Sequence, residues 1–140
     1  MADFVDLSNI DVDNIPEGEI YEDGHELRAR ITRIGKGVDK NGVDYLMPFF
    51  EDPENVNLED FSDYIPLPTQ NDTDKERGRK IRKLKSFAEC FGLDLFVPEY
   101  SLDDAKGSTG WMILGLGTNK DGSPSNKPKK YLVIPVAIKS

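Results

Sequence analysis

Hydrophobic residues recur at helical spacing over one long segment, residues 74–92. Thr73 and Glu76 have the spacing of an N-terminal capping box, and Gly92 stands where a glycine commonly ends a helix. The apolar positions share one side of a helical wheel, opposite a basic side: Ile81, Leu84, Phe87, Ala88 and Phe91. The pattern therefore predicts one amphipathic helix.

The rest of the pattern is typical of β-strands and turns. Apolar and polar residues alternate within residues 20–34, and Asn41-Gly42 is a strong hairpin signal before a return strand over 44–51. Further strands are expected at 64–68, 111–118 and 130–138, with a short extended segment at 93–100 and a flexible basic loop at 119–129.

The predicted element order is β-β-β-α-β-β. It favours a mainly β fold, an OB-fold-like five-stranded barrel with one amphipathic helix between strands 3 and 4. Another small β-barrel or an α+β sandwich has the same element count. The predicted organisation is an acidic N-terminal arm, residues 1–18, followed by a single OB-fold-like domain, residues 19–140.

Charge is distributed unevenly over the 140 residues. The net charge is −8, yet residues 1–26 hold nine acids and no Lys or Arg, while 75–85 hold seven bases and one acid. A local basic surface on an acidic protein fits this distribution, as do ordinary solvated faces. The arm also carries four apolar residues, Val5, Leu7, Ile10 and Val12. Either these residues anchor the arm to the domain, or the arm is unattached and its acids can compete with a polyanion for basic groups.

The composition argues against several other kinds of site and protein. One cysteine, Cys90, and one histidine, His25, cannot form an internal disulfide or a Cys/His zinc site. No apolar run approaches the ~20 residues of a membrane span, and residues 1–10 lack the features of a secretory signal. We therefore expect a cytoplasmic protein without a membrane partner. No pair of residues resembles a nucleophile with its base, so no enzyme is predicted.

Several stretches resemble phage-encoded OB-fold single-stranded-DNA-binding proteins. They are IPEGEIYEDGHELRARITRIGKGVDKNGVDYLMPFFE, the helix end SFAECFGLD, and WMILGLG with NKPKKYLVIP, and together they span most of residues 15–136. The resemblance implies non-catalytic single-stranded DNA binding in replication or recombination, in the host cytoplasm, without a cofactor or a metal. Replication or recombination proteins would be partners. The given residues end VAIKS where that family commonly has an acidic tail, and the acidic segment is N-terminal instead.

Binding of single strands without sequence choice requires cations for the phosphates and aromatic faces for the bases. The strands and loops that an OB-fold would use offer both. The predicted nucleic-acid-binding residues are Arg28, Arg30, Lys36, Lys40, Tyr45, Phe49, Trp111, Lys120, Lys127, Lys129, Lys130 and Tyr131. Each ring also fits a core position, and each lysine also serves solubility, so the prediction depends on their combination.

A protein–protein adaptor built on a small β-barrel is the alternative function. Its binding surface would be the acidic arm and the acidic loop over residues 51–63. The sequence leaves the oligomeric state and the choice between DNA and RNA open.

Overall fold

The computed structural model describes residues 3–11 and 18–133. These residues contain a mainly β fold with one α-helix, which confirms the predicted class. The elements are β1 (Glu26–Val38), β2 (Asp44–Glu51), β3 (Phe61–Ser62), β4 (Ile65–Pro66), α1 (Asp74–Phe91), β5 (Thr109–Thr118) and β6 (Pro124–Tyr131), with a 3-10 helix at Leu102–Ala105.

The strands form one antiparallel sheet in the order β3-β2-β1-β5-β6, and β4 also pairs with β2. The long strand β1 joins the two halves, because its first residues pair with β5 and the remainder with β2. The sheet is not closed, since no ladder joins β3 to β6 among the described residues. Instead, the Tyr131 hydroxyl donates a 2.6 Å hydrogen bond to Asp63 Oδ2.

A bulge in β1 determines which of its side chains face outward. Arg30 pairs with Glu51 and Arg33 with Phe49, and the register shifts between them. Thr32 is the extra residue, and its hydroxyl donates to the Phe49 carbonyl at 3.2 Å. Arg30 and Arg33 therefore both lie on the outer face, although strict alternation over three residues would place them on opposite faces.

The core lies between the inner side of the sheet and α1, and Phe50 is its centre. The ring of Phe50 lies 5.4–6.4 Å, between centroids, from the rings of Phe61, Phe87, Phe91 and Tyr131. Phe50 and Phe87 are fully buried. Aromatic rings bury large apolar areas, so this cluster holds α1 against the sheet.

The helix has the predicted ends. Thr73 Oγ1 accepts a 3.2 Å hydrogen bond from the Glu76 N–H, and Gly92 adopts a left-handed conformation with φ of 67°. The predicted apolar side is confirmed except at Ile81, which is 39% exposed. The buried residues are Leu84, Phe87, Ala88 and Phe91.

Four predicted segments differ from the structure. The third strand, expected over 64–68, is two short strands, β3 and β4, so the described sheet has six strands and not the predicted five. The first strand begins at Glu26, not at residue 20, and 93–100 contain turns and no strand. The last strand begins at Pro124, because residues 119–123 close a tight turn with a 2.8 Å hydrogen bond from the Asn119 N–H to the Ser123 carbonyl. Residues 134–138 of the predicted strand lie outside the described residues.

The buried side-chain amide of Asn126 hydrogen-bonds residues 18–25 to the sheet. Asn126, only 6% exposed, accepts a hydrogen bond from the Tyr21 N–H and donates one to the Tyr21 carbonyl, both at 2.8 Å. The Tyr21 hydroxyl donates to the buried carboxylate of Asp52 at 2.8 Å. This segment therefore belongs to the domain.

The described part of the arm is exposed. Val5, Leu7 and Ile10 are 77%, 58% and 57% exposed, so the hypothesis that they anchor the arm to the domain is wrong. Val12 lies outside the described residues, as do the first two and the last seven residues of the chain. No described helix is both long enough and apolar enough to cross a membrane.

Candidate nucleic-acid interface

The outer face of β1 and β2 carries a cation stacked on a ring. The guanidinium carbon of Arg33 lies 3.8 Å from the centroid of the Phe49 ring. Arg33 is exposed and Phe49 half-buried. A guanidinium within about 6 Å of a ring centroid makes a favourable cation–π contact, so the two side chains orient each other.

A tyrosine pair lies on the same side of β2. The rings of Tyr45 and Tyr64 are 4.9 Å apart between centroids, and Tyr64 is 39% exposed. Tyr45 lies across Gly37 of β1, where an added Cβ would stand 2.7 Å from the tyrosine hydroxyl oxygen. A glycine at this position therefore allows the ring to lie flat on the sheet.

Asp39 holds the turn that follows β1. Its carboxylate accepts hydrogen bonds from the Asn41 N–H at 2.8 Å, the Val43 N–H at 2.9 Å and the Tyr64 hydroxyl at 2.8 Å. These bonds, that from Val43 above all, lower the pKa of Asp39, and the bond to Asp39 raises the pKa of Tyr64. The turn thus fixes the position of Tyr64 and presents the exposed Lys40 at its tip.

A cleft of about 440 Å³ separates this face from the turn between β5 and β6. Met47, which lies between Tyr45 and Phe49 on β2, lines one side, and the exposed Lys120 and Lys127 line the other. The cleft contains acids as well, Asp60 and Asp63, but Asp63 is hydrogen-bonded to Tyr131 and to Lys83.

Two predicted residues, Lys120 and Lys127, line this cleft. Two more, Tyr45 and Phe49, flank Met47 on β2 and lie on the face beside the cleft, outside its lining. We call the cleft together with this β1–β2 face the outer cleft. Lys40 lies at the tip of the adjacent turn. Lys36 lies on β1 and lines a separate hollow of about 390 Å³ with Tyr45 and Leu67.

Two predicted cations have acidic partners. Arg30 donates to Glu51 Oε1 from Nη2 at 2.6 Å and from Nε at 2.9 Å, and Lys129 Nζ lies 3.4 Å from Asp23. Exposed pairs of this kind contribute about 0–1 kcal/mol, so a phosphate could compete for either cation. Lys127 and Lys129 lie on β6, which corrects the prediction that they belong to the 119–129 loop, and Lys130 lies on the same strand.

Arg28 and Trp111 form a different patch, because they pair across β1 and β5. Trp111 is 42% exposed, and Arg28 Nη2 donates to Thr109 Oγ1 at 3.0 Å. With Cys90 they line a hollow of about 540 Å³ beside the end of α1. The Cys90 thiol donates to the Trp111 carbonyl at 3.1 Å, and burial raises the pKa of this thiol to about 11. Neither Arg28 nor Trp111 lines the outer cleft.

Tyr131 is a correction to the predicted site. It is 8% exposed, its ring packs on Phe50, and its hydroxyl is bonded to Asp63, so it cannot stack on a base. Burial raises the pKa of Tyr131 far above its ordinary value.

Arg33, on the β1–β2 face, and Met47 and Tyr64, which line the cleft, were not in the predicted set. The spacing of Arg33 from Arg30 indicates an outward position only if a bulge lies between them. Within residues 3–11 and 18–133, no group of three or more His, Cys, Asp or Glu residues could hold a metal ion. No protein-family model matches the chain, and no curated protein sequence matches it.

Proposed function

We propose that the protein binds single-stranded DNA with little sequence preference, without catalysis, in phage-type DNA replication or recombination. We propose further that its sheet is a partly open barrel of the OB-fold type. The element order supports this fold, because β1 pairs with both β2 and β5 and the helix lies between β4 and β5. The hydrogen bond from Tyr131 to Asp63 bridges the two edges that closure would join.

The Arg33–Phe49 stack is the observation that carries the proposal. It puts a fixed cation and an aromatic ring on one outer face, beside the Tyr45–Tyr64 pair. Proteins that hold single strands without sequence choice use such rings as stacking platforms, because every base has a π-face. A base that stacks on Tyr64 would place its phosphate near the lysines across the outer cleft.

Each group in the outer cleft then has a separate task. Lys120 and Lys127 neutralise phosphates, and Arg33 binds a phosphate or extends the stack by cation–π contact. Tyr45 and Tyr64 bind base faces, and the Phe49 ring holds the Arg33 guanidinium in place. No side chain is required to read a base edge, so the binding is tolerant of sequence.

A salt series of fluorescence-anisotropy titrations with labelled oligo-dT tests this function. If about four phosphates are neutralised, log K should fall against log salt with a slope of roughly −3. Lys120→Ala with Lys127→Ala should weaken binding and make the slope shallower by about 1.4. Lys75→Ala with Arg79→Ala removes the same charge from the exposed side of α1 and should have only a small effect through the long-range field.

The absence of binding at low salt, or a slope near zero, would overturn the proposal and favour the adaptor. An equal loss in the two double variants would move the interface away from the outer cleft.

A further inference from the structure

The N-terminal arm joins the domain beside the outer cleft. The Glu19 N–H donates to the Asn57 carbonyl at 2.7 Å, and the Glu19 carbonyl accepts from the Glu59 N–H at 3.1 Å. The residue after this contact, Asp60, lines the cleft. The chain that follows Glu19 is held by Asn126, which lines the cleft as well. The arm therefore begins at the cleft.

The attachment keeps the arm close to the outer cleft. Asp11 precedes Gly18 by seven positions, and seven residues reach at most about 25 Å even when fully extended. A short tether gives the attached group an effective concentration on the order of a millimolar. The arm of the same chain is therefore presented to the cleft at a concentration that a second copy does not reach in dilute solution.

The arm is acidic, and the outer cleft keeps positive charge that its own acids do not neutralise. Within residues 3–11 and 18–133, no carboxylate forms an ion pair with Arg33, Lys120 or Lys127. Asp60 and Asp63 line the cleft, but Asp63 is ion-paired with Lys83 at 3.2 Å. Residues 1–18 contain five acids and no Lys or Arg: Asp3, Asp6, Asp11, Asp13 and Glu17.

Charge, and not apolar docking, is what the arm offers to the cleft. Phe4 and Leu7 are 94% and 58% exposed, so their side chains are not buried against the domain. Asp6 accepts hydrogen bonds from the Ser8 hydroxyl and N–H, which lower the pKa of Asp6 and keep it charged at neutral pH. An attraction of this kind is screened over about 10 Å at 0.1 M salt.

We propose that the acidic arm regulates the outer cleft as a tethered polyanion, which competes with the phosphates of a single strand for Arg33, Lys120 and Lys127. The inference rests on the proposed function. Exposed ion pairs are individually weak, so the arm should lower the apparent affinity by about threefold to tenfold at low salt. A long strand, which carries many phosphates, displaces the arm, whereas a short or weakly charged anion is held off.

Anisotropy titrations of full-length proteins with labelled oligo-dT, at low and at high salt, test the inference. The arm variant Asp3→Asn, Asp6→Asn, Asp11→Asn should bind about threefold to tenfold more tightly than the wild type at low salt. The gain should vanish at high salt, so the plot of log K against log salt should be steeper for the variant. The changed side chains are exposed, so the variant should fold like the wild type.

A matched control separates competition at the cleft from a change in net charge. The control variant Asp94→Asn, Asp103→Asn, Asp104→Asn removes the same charge at exposed positions outside the cleft lining. It should tighten binding much less, through the long-range field alone. Without oligonucleotide, the amide resonances of Lys120 and Lys127 should differ between the arm variant and the wild type, and should be unchanged in the control variant.

A second variant separates charge from apolar contact. Phe4→Ala with Leu7→Ala keeps every acid of the arm and should bind oligo-dT like the wild type. Wild-type affinity in the arm variant, equal gains in the arm and control variants, or an equal gain in the apolar variant would overturn the inference and leave single-strand binding in place. Failure of the wild type and of every variant to bind at low salt would overturn the proposed function as well.

Discussion

Arg33 and Phe49 face each other on adjacent strands, with the guanidinium carbon 3.8 Å from the ring centroid. The contact exists because the bulge at Thr32 returns Arg33 to the outer face, in register with Phe49. A cation and a ring are thus held together on an exposed surface, next to two tyrosines. This relationship is the centre of the proposed binding surface.

Replacement of Phe49 tests the role of the Arg33–Phe49 stack. Phe49→Leu keeps an apolar side chain on β2 but removes the ring that holds the Arg33 guanidinium, so it should weaken oligo-dT binding by about 1 kcal/mol through the loss of this cation–π contact. Anisotropy titrations with an oligonucleotide that holds a single protein molecule measure this change. Phe96→Leu makes the same exchange at an exposed ring beside α1 and should leave the affinity unchanged. Equal affinities for the Phe49 variant and the wild type would contradict this role.

The hydrogen bond between Tyr131 and Asp63 should stabilise the fold without taking part in binding. Tyr131→Phe removes a 2.6 Å bond to a carboxylate and should lower the free energy of unfolding by about 1.5–3 kcal/mol in urea titrations. Tyr45→Phe removes a hydroxyl from the outer face and should change stability by less than about 0.5 kcal/mol. A similar loss of unfolding free energy in both variants would show that the hydrogen bond between the sheet edges contributes no more to stability than the Tyr45 hydroxyl.

Asp39 should titrate below its ordinary pKa of 3.8, because its charged form accepts two backbone hydrogen bonds and one from Tyr64. Its contribution to stability is then complete above pH 3.8 and is lost as the pH falls through the lowered folded-state pKa. Carbon-detected NMR of the carboxyl group measures this titration. Tyr64→Phe should move the pKa of Asp39 back toward 3.8. A pKa of 3.8 or higher in the wild type would refute the role of the turn.

Asn126 should control the attachment of residues 18–25. Asn126→Ala leaves the N–H and the carbonyl of Tyr21 without their partner, which should cost about 1–3 kcal/mol. Hydrogen exchange should accelerate most at the amide of Tyr21, well before the amides of the central strand β1. If exchange rises equally throughout the domain, the segment unfolds only with the whole domain.

The sequence was most informative where local chemistry determines the structure. Thr73, Glu76 and Gly92 fix both ends of α1 through backbone hydrogen bonds, and Asn41-Gly42 closes the first hairpin, so these elements were predictable. The start of the last strand was not predictable in this way. Its residues 124–129 are mostly polar, and they form a strand because β5 offers a paired edge.

The candidate site depends on tertiary relationships that periodicity does not contain. Tyr131 and Tyr45 are both strand tyrosines, yet the first is buried in the core and the second lies half-buried on the outer face. The face of Arg33 depends on the bulge, and Lys127 reaches the outer cleft only because β6 begins early. The sequence offered candidate cations and rings for binding, and the register of the strands selects which of them share one surface.

A titration of isotope-labelled protein with unlabelled oligo-dT, followed by NMR chemical shifts, tests the central claim most directly. We expect the largest shift changes at Arg33, Tyr45, Phe49, Tyr64, Lys120 and Lys127, with small changes along the exposed side of α1. Changes concentrated on α1 or around Trp111, or no change at all at low salt, would contradict the proposed interface.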